Sequence, residues 1–113
     1  MNRRGEPAED AAAAFLVRQG LTLVARNYHC RFGEIDLIFN DGATLVFVEV
    51  RYRASRTFGG ASESITYAKQ RKLLRAARHY MADQSDFPAC RFDAVLLNGD
   101  SPEIDWLRNA FGE

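Results

Sequence analysis

Apolar positions first recur at the helical period. Between about Pro7 and Gln19, Ala8, Ala12, Phe15 and Leu16 fall on one stripe at ~100° per residue. Pro7 suits a first turn, Glu6, Glu9 and Asp10 suit the positive end of the helix dipole, and Gly20 is a stop. From Leu21 to Tyr28 the pattern turns to a strand, carried by Leu21, Leu23, Val24 and Tyr28. Two more apolar runs follow, joined through Asn40-Asp41-Gly42, a hairpin signal of the type I′ kind. Arg53 to Ser62 has no period and holds Gly59-Gly60, so it reads as a loop. Ser62 or Ser64 then caps a helix to about Ala82, with Ile65, Leu73, Ala76, Ala77, Tyr80 and Met81 on its apolar arc. A polar connection, Asp83 to Ala89, leads to a fourth strand from Arg91 to Asn98. After the turn Asn98–Pro102, Glu103 to Leu107 alternates as a short fifth strand with a polar tail. The order α-β-β-β-α-β-β predicts an α/β domain: a mixed sheet flanked by helices. Residues 1–113 read as a single domain, with residues 1–5 and 109–113 as flexible tails.

The hairpin carries acids where a sheet normally excludes them: Glu34, Asp36 and Glu49. With Asp41-Gly42 as a two-residue loop, Ile38 opposes Leu45, Asp36 opposes Phe47, and Glu34 opposes Glu49. Asp36 and Glu49 are then diagonal neighbours, and Arg51, two residues beyond Glu49, shares their face. A three-residue loop would reverse that parity.

Charge changes the picture through its distribution. The net charge is zero, which excludes a simple polycation. Yet Arg51 to Arg78 holds eight bases and one acid, Glu63, while the rest of the chain holds seven bases and fourteen acids. A basic surface beside an acidic cluster suits a site that holds a cation and a polyanion together. No apolar run approaches the ~18–20 residues of a membrane helix. The N-terminus lacks the pattern of a signal peptide, and Cys30 and Cys90 form no CxxC pair. A cytoplasmic location with reduced thiols is expected.

Asp36 and Glu49 on one face are able to hold a hard divalent cation such as Mg²⁺, with a strand carbonyl such as that of Val50 as a further oxygen donor. Arg51 and Lys69 are the cations placed to stabilise a phosphoryl transition state, and Arg51 stays protonated, so it is no general base. Lys69 falls inside the apolar arc of its helix, where it either snorkels outward or points at something negative. Glu9 is either a first-turn dipole acid or a carboxylate aimed at the sheet. Arg71, Arg75 and Arg78, flanked by Lys72, form either a solvated stripe or a phosphate contact. The loop with Arg53 and Arg56 either closes over a phosphate backbone or only connects. The alternative for the whole hairpin is a solvated edge with a Glu49–Arg51 ion pair.

Asp36 followed by Glu49-Val50-Arg51 on the next strand resembles the PD-(D/E)xK nuclease superfamily, as does the element order. More closely, the chain resembles the YraN-like family of small endonuclease-like bacterial proteins. The matching stretches are Gly5 with Ala8-Glu9 and Ala12, Gly20-Leu21, Arg26-Asn27-Tyr28, Gly33-Glu34-Ile35-Asp36-Leu37-Ile38, Phe47-Val48-Glu49-Val50-Arg51, Lys69-Gln70-Arg71 and Arg91-Phe92-Asp93. The resemblance implies a restriction endonuclease-like core, like that of Holliday-junction resolvases, and an endonuclease acting on DNA, branched or damaged structures included. It implies Mg²⁺ or Mn²⁺ held by Asp36 and Glu49 with Glu9 assisting through water, and Lys69 and Gln70 in the basic and amide positions of the second helix. Arg51 departs from the superfamily's Lys: it keeps the charge and loses the neutral amine. Arg53, Arg56, Arg71, Lys72, Arg75 and Arg78 would position the nucleic acid. The alternative function is a non-catalytic nucleic-acid-binding module or a subunit of a DNA-processing complex. A homodimer would suit cutting of two strands.

Overall fold

The computed structural model describes residues 6–53, 66–82, 88–99 and 102–111. The elements are α1 (Glu6–Arg18), β1 (Thr22–Cys30), β2 (Gly33–Asp41), β3 (Thr44–Arg53), α2 (Tyr67–Met81), β4 (Cys90–Asn98) and β5 (Ile104–Phe111). They form the α/β fold expected, with one five-stranded mixed sheet in the order β1-β2-β3-β4-β5. Neighbours run antiparallel except β3 and β4, which are parallel. Parallel strands need a long crossover, and α2 lies within the one between them.

Each helix covers one face. Ala12, Ala13 and Leu16 of α1 pack on Leu37, Phe39, Val46, Val48 and Val95. Leu73, Ala76, Ala77 and Met81 of α2 pack on Ile35, Ile38, Leu45, Phe47 and Phe92. This is why β3 reads Leu45-Val46-Phe47-Val48 without polar alternation: a central strand covered on both faces buries every side chain. α2 starts later than its serines suggest. Thr66 is the N-cap, its Oγ1 accepting from the Lys69 amide at 3.1 Å; Ser62, Ser64 and Ile65 lie outside the described residues.

The hairpin register differs from expectation by two residues. Asp41 pairs with Thr44 and Ile38 with Phe47, so the loop is Gly42-Ala43. Gly42 alone supplies a positive φ, +61°, at the first central position, as in a type II′ rather than a type I′ turn. Asp41 stays in the strand because it accepts from Arg91 on β4 at 2.9 Å. Both loops hold two residues, so face parity survives. The ladder ends at Leu37↔Val48, so Asp36 and Glu49 are not a ladder pair, and Asp36 reaches β3 through its side chain, which accepts from the Val50 amide. Glu34 is removed from that company; it is exposed and lies 3.8 Å from His29 on β1.

β5 also exceeds its expected length, running to Phe111 where a polar tail was expected after Leu107. Phe111 stacks on Phe92 at 5.1 Å. A buried acid, Asp93, organises this side of the sheet at 0% exposure. It accepts from Arg91 Nε at 3.1 Å, Trp106 Nε1 at 2.9 Å and the Asn109 amide at 2.9 Å. A carboxylate this deep is tolerable only when so fully hydrogen-bonded. Asn109 adopts φ +54°, and the β4–β5 register shifts between Phe92 and Ala94.

One irregularity positions the site. Ile35 and Ile38 both belong to the α2 layer, whereas Leu37 and Phe39 belong to the α1 layer, so alternation breaks around Asp36. β1 breaks in step, since Ala25 and Tyr28 also both lie on the α2 side. Between them Asn27 takes φ +54°, a left-handed conformation that Asn tolerates better than most residues. The pairs Arg26↔Leu37 and Tyr28↔Ile35 set Asn27 across from Asp36. The two strands therefore kink together at Asp36.

Candidate active site

Past that kink β2 leaves β3, and the ladder between them ends at Leu37↔Val48. A fork opens in the sheet. β3 remains paired with β4 on its other side through Arg53, and among the described residues no strand lies beside its edge facing the fork. Asp36 turns into that gap, and its Oδ2 accepts the Val50 amide proton at 2.8 Å, replacing a ladder bond. A residue's N–H and C=O leave the same edge of a strand, so the Val50 carbonyl also faces the fork.

Glu49 enters the fork from the α2 side, with a side chain only 4% exposed. Two cations compensate it. Lys69 Nζ lies 2.7 Å from its Oε2, and Arg51 Nη1 lies 3.7 Å from the same oxygen. Of the two readings for Lys69, the inward one holds. Its place in the apolar arc carries it over the sheet to the buried carboxylate, while its side chain keeps 41% exposure at the rim.

Among the described residues Asp36 makes no ion pair of that kind. Its carboxyl is pushed up from 3.8 to about 7, chiefly by burial and then by the negative charge of Glu49. Glu9 adds to the rise, while the Val50 hydrogen bond and the Lys69 charge oppose it. Glu9 reaches the same region from α1. Its side chain is 12% exposed and lies 4.0 Å from Arg26, which pairs more closely with Asp10 at 2.6 Å.

These residues surround a cavity of about 680 Å³, lined on its polar side by Glu9, Asp36, Glu49, Arg51 and Lys69. Five of the six residues expected at a catalytic site thus meet around one cavity; Gln70, half-buried on α2, is not among its lining residues. Among the described residues no group of three or more His, Cys, Asp or Glu side chains is close enough to hold a metal ion. The three-carboxylate set of Asp36, Glu49 and Glu9 is therefore not assembled, and any cation here would rest on fewer carboxylates.

The expected nucleic-acid residues separate from this cavity. Arg71, Lys72, Arg75 and Arg78 are exposed on the outer face of α2, turned away from the buried arc that carries Lys69. Arg56 and the side chain of Arg53 lie outside the described residues. Two structural features of the site were missed in the sequence. One is Asn27, whose backbone allows the kink. The other is Tyr52, which lines the cavity and is 67% exposed. Its sequence signal was an aromatic between two arginines, Arg51 and Arg53. Among the described residues no helix is long and apolar enough to cross a membrane.

The model of the Uncharacterised protein family UPF0102 matches residues 8–97. A UPF0102 protein of Nitrosomonas europaea is 61% identical over 112 residues, covering 97% of this chain and 94% of its own. One from Nitrosospira multiformis is 61% identical over 109 residues, covering 96% and 92%. One from Psychromonas ingrahamii is 50% identical over 112 residues, covering 99% and 92%.

Proposed function

The chain belongs to the uncharacterised protein family UPF0102, and from its fork geometry we propose that it is a Mg²⁺- or Mn²⁺-dependent endonuclease hydrolysing phosphodiester bonds in DNA, on a core like that of the PD-(D/E)xK nucleases. The observation that carries this reading is the meeting of Asp36 and Glu49 where β2 parts from β3, with the open edge of Val50 between them.

The donors fit a hard cation. Two carboxylates and a main-chain carbonyl are oxygen ligands, and Mg²⁺ commonly takes one or two carboxylates, leaving water and substrate phosphate to complete six. The raised Asp36 carboxyl supports the fit, because burial and a like charge are what a bound cation would relieve. When bound, the cation would supply charge neutralisation and a water of lowered pKa. The rest belongs to the chain. Lys69 and Arg51 sit at the cavity side of Glu49, where their charges bind phosphate oxygens and stabilise the negative charge that grows on them. Arg51 offers a planar fork for two of those oxygens and no base. The kink at Asn27 holds Asp36 in the gap, and the outer face of α2 offers Arg71, Lys72, Arg75 and Arg78 to the backbone of the same polyanion.

The second reading is a non-catalytic nucleic-acid-binding module. It is favoured by the 2.7 Å Lys69–Glu49 pair, which satisfies Glu49 without a metal ion. Cleavage of linear, branched and single-stranded DNA in Mg²⁺ and in Mn²⁺ separates the two. Asp36→Asn and Glu49→Gln should each lower cleavage by about 100-fold or more. Equal activity in wild type and variants removes the site; salt-sensitive binding without cleavage in either metal selects the second reading.

A further inference from the structure

We propose that the apolar half of the cavity is a nucleobase pocket, with the Tyr52 ring as its stacking surface, so that the substrate is DNA with an unpaired or extruded nucleotide beside the scissile phosphate. This rests on the reading of the fork as the place where that phosphate binds.

Size is the first observation. An octahedral cation shell of six oxygens, each with the ~30 Å³ share of a water, fills about 180 Å³. The cavity holds about 680 Å³, which is the range of sites that take an organic ligand rather than an ion alone. The second observation is how its walls divide. Side chains alternate along β3, so Glu49 and Arg51 face the α2 side while Val50 and Tyr52 face the α1 side. Leu97 of β4 pairs with Tyr52 in the parallel ladder, and Pro7 and Ala8 of α1 close the same wall. The α2 side of the cavity is charged, and the α1 side is apolar apart from Glu9. A nucleotide has the same division, an anionic phosphate at one end and a flat apolar base at the other.

Tyr52 is the third. A ring left 67% exposed contributes little to the core of its own chain. It stands between a charged wall and an apolar wall, two residues from the fork's open edge at Val50. That is the combination of cation and aromatic with which proteins hold single-stranded nucleic acid. A base inside a duplex is stacked on both faces and cannot enter such a pocket without leaving the helix. An unpaired base enters without that cost.

The test uses the full chain, Ca²⁺ to neutralise the carboxylates, and a single-stranded oligonucleotide carrying one 2-aminopurine, whose fluorescence reports stacking. A matched oligonucleotide has an abasic site at that position. The intact strand should bind about tenfold more tightly than the abasic one. Tyr52→Ala should remove that preference and leave abasic binding unchanged, and Tyr52→Phe should retain it. An unchanged thermal midpoint for Tyr52→Ala checks the fold. Equal affinity for intact and abasic strands overturns the proposal, as does a Tyr52→Ala loss shared by both. Base preference without cleavage in any metal upholds the pocket and refutes the nuclease reading. Cleavage indifferent to the abasic site and to Tyr52→Ala refutes the pocket and keeps the nuclease.

Discussion

Asp36→Asn should stabilise the metal-free protein at neutral pH while abolishing its proposed activity. Between the unfolded value of 3.8 and the folded value of about 7, the native chain holds one proton that the unfolded chain has released. Unfolding then becomes easier as pH rises through that window, and the loss stops above about 7. At about 1.4 kcal/mol per pH unit the window amounts to ~4 kcal/mol at most. Water in the open cavity screens part of this, leaving ~2–4 kcal/mol. Asparagine stays neutral at every pH, and its amide oxygen still accepts the Val50 proton. Urea unfolding in chelator, from about pH 4 to above pH 7, should show the two proteins converging at the acid end. Above pH 7 the variant should be more stable by that ~2–4 kcal/mol, with equal m-values. Adding Mg²⁺ at neutral pH should recover stability in wild type alone, by mass action on the ionised pair. A variant-minus-wild-type difference that stays flat across the pH range would refute the reasoning, because it would mean that Asp36 titrates alike in both states.

Lys69→Met keeps the apolar stem over the sheet but removes the closer of the two cations described at buried Glu49, leaving Arg51 at 3.7 Å. Urea unfolding should show a loss of ~1–3 kcal/mol. Asn27→Ala should cost ~1–2 kcal/mol for the left-handed backbone at φ +54°, and Asn27→Gly much less, by the same measurement. Asp93→Ala leaves Arg91 Nε, the Trp106 indole and the Asn109 amide without their acceptor, while Arg91 Nη1 keeps Asp41, and should lower stability by ~3 kcal/mol or more; a loss below ~1 kcal/mol would show that the network matters little. Replacing Arg71, Arg75 and Arg78 together with Ala should reduce the slope of log affinity for DNA against log salt by roughly 2–3 if each meets a phosphate. An unchanged slope would mark the outer face of α2 as merely solvated.

Much of this protein was legible in one dimension because its elements bury faces of different period. The stripe of α1, the arc of α2 and the unbroken apolar run of β3 identify an α/β sandwich. Lys69 inside an apolar arc left two readings, snorkelling or a negative partner, and two-residue loops preserve face parity even when the register is misjudged, so Asp36 and Glu49 were expected at one site from a register that the structure shifts by two. Register itself was decided elsewhere: Arg91, 50 positions away, holds Asp41 in its strand and moves the turn to Gly42-Ala43. Tertiary contacts also extended β5, since Phe111 and Asn109 read as polar-tail residues until Phe92 and Asp93 receive them. The kink that aims Asp36 into the fork needs two strands to break alternation together, opposite a single left-handed Asn27. Periodicity within one strand carries no record of its neighbour, so that device, and the cavity it opens beside Tyr52, exist only in the folded chain.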